Sequence, residues 1–566
     1  MPRKAVRRLA AAVTIPLLAA PLAACGAGST GSSAGGAGSY VFVLPQDFQG
    51  VDRAKYSSEA SKIVGDVMHS RLLELDTSGR ADGACAPGVP PKIAASSPLV
   101  SSWTETPDGK GIDFTLRDNV KSAAGKVLTS ADVQWSIDRI KAIDASAKTL
   151  WFTVGGFDPD KTITVKSPTQ FTLHLKKRNE LAKYTLAGNS GLILDSATAK
   201  ANAGAGDPWA TKYLTDHTAD FGPWTLTEFG SQQITFGKNP HYAGQRGDVD
   251  KVVLRTVPES SSRIQLVRTG QAAETTGLDY TQLESLRGSG DVNLVSCANP
   301  GRDWLGLNAK DPVLGKPEVR RAISLALDRS AIQTAVYRGF AKPAQGGLSQ
   351  AYGAFGKGDN YRHDAAEAKR LLAQAGVPDG FSFQLSVSNA QPGAYAENLA
   401  VLIQQQLKAI GVDMRIKNVP SAVQFKADGL ANKLQAFLMA ETPAAGNPGY
   451  SAWLTLGCDG LQNYTGFCDR KLEGLAADLQ AEGFDTPATK AKTAELAGII
   501  ADQQAAVYLV DRSTVGVRNK CVTDVPSTGF GNDYTQAKAA CSRCPPAARR
   551  AAEAALHPRG DVSPSR

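Results

Sequence analysis

Phe114-Thr115-Leu116-Arg117-Asp118-Asn119-Val120-Lys121, continuing to Leu128-Thr129-Ser130-Ala131-Asp132-Val133, is the stretch on which the reading of this 566-residue chain turns. Ile112, Phe114 and Leu116 alternate with polar residues, the period of a half-buried strand. Val133, Ile137 and Ile140 then recur at helical spacing, and Thr129 with Asp132 three residues on makes a box that caps a helix start. Strand, turn and capped helix repeat outward from there. Tyr40-Val41-Phe42-Val43-Leu44, stopped by Pro45, reads as a buried strand that delivers Gln46 and Asp47 to a sheet edge, and Phe171, Leu173 and Leu175 mark another half-buried strand. Pro317 opens a helix through Val319, Ala322, Ile323 and Ala326, and Asp328 caps a second that reaches Arg338 and Gly339. Asp364 with Glu367 opens a third, whose apolar face is Ala368, Leu371, Leu372 and Ala375 and whose end is Gly376 and Pro378. A strand over Phe381–Val387, a helix over Leu399–Ile410 and a strand over Asp413–Val419 complete a βαβ pattern, so the class is α/β.

Five segments in register resemble the family 5 extracellular solute-binding proteins of ABC importers, the oligopeptide- and dipeptide-binding group. The opening stretch is similar to that family's "TLRDGVKF…LTAEDV", although Ser122-Ala123-Ala124-Gly125 departs from it. Phe221-Gly222-Pro223-Trp224 and Lys238-Asn239-Pro240-His241-Tyr242 resemble its "GPY…NPxYW" pair. Leu307-Asn308, Val319-Arg320-Arg321-Ala322-Ile323 and Leu327-Asp328-Arg329-Ser330-Ala331-Ile332 resemble its "fNt…VRqAi…AiDReaI", and Ala368 to Gly380 resembles "AkqLLaeAGypdG". The resemblance implies a fold like the type II periplasmic binding proteins, with two large lobes, a hinge and a small inserted lobe. Lobe I would gather residues 40–80, 218–299 and 512–536, the small lobe residues 81–217, and lobe III residues 300–511. Crossings near Cys297–Trp304 and Ala506–Asp511 would hinge, and the lobes would close on a ligand before docking on an ABC permease. The implied ligand is a peptide, held by main-chain hydrogen bonds along strand edges while wet side pockets tolerate varied side chains.

The same resemblance points to the segment after Gln435-Ala436-Phe437-Leu438-Met439, where peptide-binding members carry an aspartate for the ligand's α-amino group. This chain reads Ala440-Glu441-Thr442-Pro443-Ala444-Ala445-Gly446-Asn447-Pro448-Gly449-Tyr450, with Ala or Gly where that acid would fall. A buried ammonium without a carboxylate is costly. Either Glu441 takes the role, or the ligand lacks a free amine there, or the amine stays hydrated. Asn463-Tyr464 resembles a cleft-lining "NY" element, and Tyr450, Trp453 and Tyr464 are candidate apolar walls; Gln46, Asp47, Glu441 and Asn463 complete the candidate contacts.

At the start, Arg3, Lys4, Arg7 and Arg8 precede an apolar run from Leu9 to Leu22, too short for the ~20 residues of a spanning helix. Residues 1–24 read as a secretory signal, and Leu22-Ala23-Ala24-Cys25 resembles a bacterial lipobox, which makes Cys25 the lipidation site and the protein a lipid-anchored, extracytoplasmic one. Residues 25–39 are a Gly/Ser/Ala leash. The formal charge of +8 sits at the two ends, four positive residues in the signal and an excess of four beyond 537, so the body is near neutral. That removes the footprint nucleic-acid binding requires.

The remaining cysteines (85, 297, 458, 468, 521, 541, 544) favour disulfides in an oxidising compartment, with Cys458 and Cys468 the best pair by spacing and the other connectivity open. Cys541-Ser542-Arg543-Cys544 lacks the further ligands a structural zinc demands, so no metal and no cofactor is expected. The six histidines are scattered without an H-E-x-x-H pair or a recognisable nucleophile, and no enzymatic activity is expected. His69 is expected on a helix face. Residues 537–566 carry no packed pattern and read as a disordered tail. The pocket departure sustains an alternative role, a binding protein serving small-molecule biosynthesis or signalling with a ligand such as an amino-acid derivative.

Overall fold

Two long antiparallel strands, Val292–Leu307 and Ala506–Asn519, run through the middle of one 11-stranded sheet and belong to both of its halves. The structure, a computed structural model, describes residues 38–78, 85, 91–143, 145–353, 356, 358–388, 391–483 and 485–539. The signal, Cys25, the leash up to residue 37 and the tail from 540, with Cys541 and Cys544, lie outside the described residues.

In one half, the strand Ser39–Leu44 is buried at every position because it lies inside the sheet, parallel to both Lys251–Thr256 and Glu274–Thr275. Gln233–Lys238 and Trp224–Phe229 extend that half outward as antiparallel strands. In the other half, Ser382–Val387 and Asp413–Asn418 pair in parallel and are joined by the helix Ala396–Lys408, the βαβ unit expected from sequence, with Ala436–Glu441 on the inner side. Pro317–Ala326, Arg329–Ala335 and Ala365–Gln374 form the expected helices. Asp328 and Asp364 each accept from first-turn backbone N–H groups, which is why these helices start where they do. The second stops at Ala335, short of Gly339, because Arg338 and Gly339 both turn to positive φ.

The ladder between the long strands runs from Val292–Asn519 to Ala298–Ser513, then resumes at Arg302–Asp511. Asn299, Pro300 and Gly301 thus stand opposite a single residue. Pro300 has no N–H to donate, and the Asn299 side chain takes the Gly301 N–H at 2.7 Å, so the chain bulges here. Buried ion pairs brace the bulge. Arg302, 1% exposed, meets Asp511 at 2.8 Å, donates to the carbonyls of Gly346 and Gly347, and lies 3.6 Å from the Tyr508 ring centroid. Arg512 meets Asp303 at 3.1 Å, and that carboxylate also accepts from the hydroxyls of Tyr337 and Tyr395.

A separate four-stranded antiparallel sheet, ordered Val100–Glu105, Gly111–Leu116, Gln170–His174 and Ile163–Ser167, forms the inserted lobe. Phe114 stacks on Phe171 at 5.1 Å within its core, and the helix Ser130–Ala142 carries the expected Thr129/Asp132 capping box. The core of this lobe also takes Leu72, Leu73 and Phe221, residues outside the span 81–217. Two halves joined through one large sheet, with a separate four-stranded sheet inserted, is therefore the observed α/β architecture.

Cys458 and Cys468 are bridged, as their spacing suggests, and Cys85 is bridged to Cys297 on the first long strand, a pairing spacing leaves open. Cys521 is disulfide-bonded as well. The expectation of an unpacked tail from 537 is corrected at its near end. Ala537 is fully buried against Tyr40 and Val525, and Lys538–Ala539 pairs with Val522–Thr523. Replacing Cys458 and Cys468 with Ser should lower stability by about 2–3 kcal/mol, the loop-closure value for a sequence separation of 10 residues. Denaturant unfolding of oxidised protein measures it, and a loss below about 0.5 kcal/mol would show that residual structure already holds this loop nearly closed in the unfolded ensemble.

Candidate ligand-binding cleft

The helix Glu59–Met68 turns Ala60, Ile63, Val64 and Val67 into lobe I. Glu59, Lys62 and Asp66, followed by the C-cap His69, form the opposite stripe at helical spacing. That polar stripe lines a cavity of about 410 Å³. Its walls include the stripe with Arg53, Arg71 and Glu74; the bulge Asn299–Gly301 with the segment Thr442–Gly446; the loop Thr528–Asp533; and Leu150, Val154, Tyr184, Thr185 and Ala187–Ser190 of the small lobe.

Most carboxylates of the first wall are engaged. Asp66 pairs with Arg71 at 3.0 Å and accepts from the Asn189 side chain at 2.9 Å and from the Asn532 N–H at 3.2 Å. His69 is held in the left-handed region at φ 48°, its N–H bonded to the Gly65 carbonyl. Its Nε2 lies 2.6 Å from Glu74 and its Nδ1 3.9 Å from Asp533. Burial disfavours the imidazolium, but Glu74 and Asp533 outweigh it and hold the His69 pKa above its ordinary value. Asp533, though its burial favours the neutral acid, is held below the usual carboxylate range by His69 and by hydrogen bonds from Thr535.

The candidate contacts read from sequence are placed elsewhere. Gln46 and Asp47 are exposed beyond the end of the first strand, and the Gln46 carbonyl is taken by the Thr256 hydroxyl. Glu441 is 1% exposed and lies beneath the wall, not in it. Asn463 donates to the carbonyls of Gly457 and Phe467, both at 2.7 Å, and so shapes the disulfide-closed loop. Tyr464 packs on Phe437 at 5.7 Å inside lobe III. Asn447 is the N-cap of the helix Pro448–Leu456.

Tyr450 and Trp453 stand one layer behind the cavity. Their rings stack at 6.1 Å, and with Ala445 and Leu454 they pack on Leu150, Val154, Leu181 and Tyr184 of the small lobe. The Glu180 N–H donates to the Gln480 carbonyl at 2.8 Å across the same junction. The small lobe and lobe III are thus in apolar contact over one end of the cavity. Arg53, Lys62, Asp66, His69, Arg71, Glu74 and Asp533 are the wall residues that sequence reasoning missed; the stripe 59, 62, 66, 69 was the available signal.

Neither oxygen of Glu441 has a hydrogen-bond partner among the described residues, and burial pushes its pKa up to about 7 despite Arg302 and the hydroxyls of Ser451 and Tyr508 nearby. Folding therefore favours the neutral acid. Its contribution to stability is full below the ordinary 4.5 and is lost as pH rises through about 7. Relative to Glu441→Gln, the native chain should lose about 3 kcal/mol between those limits. Denaturant titrations of both proteins from pH 4.5 to 8 check this; parallel curves would mean the carboxylate ionises in place without cost.

A family model, described as bacterial extracellular solute-binding proteins, family 5, matches residues 95–463. The glutathione-binding protein GsiB of Salmonella typhimurium is 26% identical over 470 residues, covering 80% of this chain and 88% of that protein. Among solved structures, the periplasmic binding protein DppA from Helicobacter pylori in complex with the peptide STSA superposes with a TM-score of 0.72 at 21% identity, covering 89% of this chain and 98% of that one. AgaA of A. tumefaciens R10, in complex with agropinic acid, gives a TM-score of 0.70 at 22% identity over 89% of this chain and 99% of that one. With its mixed α/β fold built on one shared sheet, its polar cavity and the family-model match, the chain belongs to the family 5 extracellular solute-binding proteins of ABC importers.

Proposed function

We propose that this protein captures a short peptide or peptide-derived solute between its lobes and delivers it to an ABC permease, tethered outside the cytoplasm by a lipid on Cys25. The observation that carries the reading is the cavity itself. At about 410 Å³ it lies within the range of specific ligand sites, and it is lined by ionisable side chains of both signs, as a dipolar solute requires. The names of GsiB and of the DppA complex, with glutathione and a tetrapeptide, point to the same class. The role is binding without chemistry, a reading supported by the description of the matching family as solute-binding proteins. A small acid such as the agropinic acid named with AgaA is the second reading, favoured by the missing carboxylate in Thr442–Gly446.

Thermal unfolding of the protein against short peptides, glutathione, amino-acid derivatives and oligosaccharides tests the proposal. A peptide at about a hundred times its Kd should stabilise the chain by about 2.7 kcal/mol. Stabilisation by oligosaccharides alone would overturn the peptide assignment. Release of the lysate protein from membranes by Cys25→Ser is the matching expectation for the anchor.

A further inference from the structure

Taking the cavity as the site of a peptide-like solute, we infer that it holds this ligand by its carboxylate, on Arg53 and Lys62, and selects acid-terminated peptides or derivatives without requiring a free α-amino group. Among the described residues, the Lys62 ammonium has no ion pair and no hydrogen bond. Arg53 also lacks an ion pair; its Nη1 donates to the Tyr56 carbonyl, and its Nε is buried with no acceptor. The Nε of Arg71 beside it is likewise buried and unpartnered. Nearby acids do not make up the deficit. Asp66 is shared among Arg71, Asn189 and Asn532, Glu74 is paired with His69, and Glu59 is exposed at the helix start.

The opposite wall supports the same polarity. Thr442 to Gly446 carry no ionisable side chain, so an ammonium arriving there would meet no carboxylate. A guanidinium with unused in-plane donors is the partner that carboxylate geometry matches, and an ammonium adds a second charge-assisted bond. Lobe closure would remove water from these cations, so an anion is what completes the closed state. An N-acylated or side-chain-linked acid fits this arrangement as well as an ordinary peptide does.

The experiment is calorimetric titration of the whole protein with trialanine, N-acetyl-trialanine, trialanine amide and glutathione, for the native chain, Arg53→Gln and Lys62→Gln. The native protein should bind N-acetyl-trialanine within about threefold of trialanine and the amide at least about tenfold more weakly. Each substitution should weaken the two acids by about tenfold or more and leave the amide unchanged, with unfolding midpoints showing the variants folded. Amide and acid bound equally, or acid affinity surviving both substitutions together, would overturn the carboxylate anchor while leaving peptide capture intact. A folded native protein that binds none of the four overturns peptide capture and the anchor with it.

Discussion

Arg302→Met should lower the stability of the folded chain by about 3–5 kcal/mol, the loss expected when one partner of a buried ion pair is removed. Arg302 is 1% exposed, and every group it touches was desolvated on the assumption that it is there. Asp511 would keep the Gln350 donors at 3.1 and 2.8 Å but lose its counter-charge at 2.8 Å, and the carbonyls of Gly346 and Gly347 would lose theirs. The Tyr508 ring would lose the guanidinium over its face. Because the pair sits where the two long strands resume pairing after the bulge, the damage is to the sheet that joins the two halves. Adding Asp511→Leu to Arg302→Met should recover most of the loss, since the cost lies in an orphaned charge rather than in a missing attraction. Equilibrium unfolding in urea measures both; a single variant within about 1 kcal/mol of the native chain would show that water reaches Asp511.

The second large effect is expected from Leu181→Asp, read as ligand affinity rather than stability. Leu181 is fully buried, yet it packs with Ala445, Tyr450 and Leu454 of lobe III, whereas its neighbours Ala182 and Leu186 pack inside the small lobe. An aspartate there would be desolvated only when the lobes meet, at a cost of several kcal/mol for an unpaired carboxylate. Opening of the lobes avoids that cost, so the variant should remain open and bind about 100-fold more weakly whichever peptide stabilises the native protein. Small-angle scattering should show a larger radius of gyration for the variant at saturating ligand. An unfolding midpoint lowered as much without ligand as with it would place Leu181 in the core of the small lobe and remove the closure argument.

The contrast between these residues shows where sequence reading succeeds. Strand periods at Ile112–Leu116 and Phe381–Val387, caps at Thr129, Asp328 and Asp364, and the close pair Cys458–Cys468 are set by neighbours a few residues away, and the observed elements agree with them. Glu441, Tyr450, Trp453 and Tyr464 are expected at the cleft from sequence, but burial and packing put them outside its lining, and Asn463 is spent on the Cys458–Cys468 loop. Glu59, Lys62, Asp66 and His69 show the reverse. A charged stripe opposite an apolar one is the ordinary face of a surface helix, and nothing in its own sequence says whether water or another lobe lies over it.

What the chain determined alone, then, is local and periodic: which segments are strands and helices, where they start, and, through motifs in register, which family assembled them. What only the tertiary structure decided is which charges are left without partners. That depends on segments more than 400 residues apart, as where Asn532 donates to Asp66, and on which faces the lobes cover. Coulomb energy and desolvation are set by distance in space and by the surrounding dielectric, and sequence spacing encodes neither across a fold assembled from separated segments.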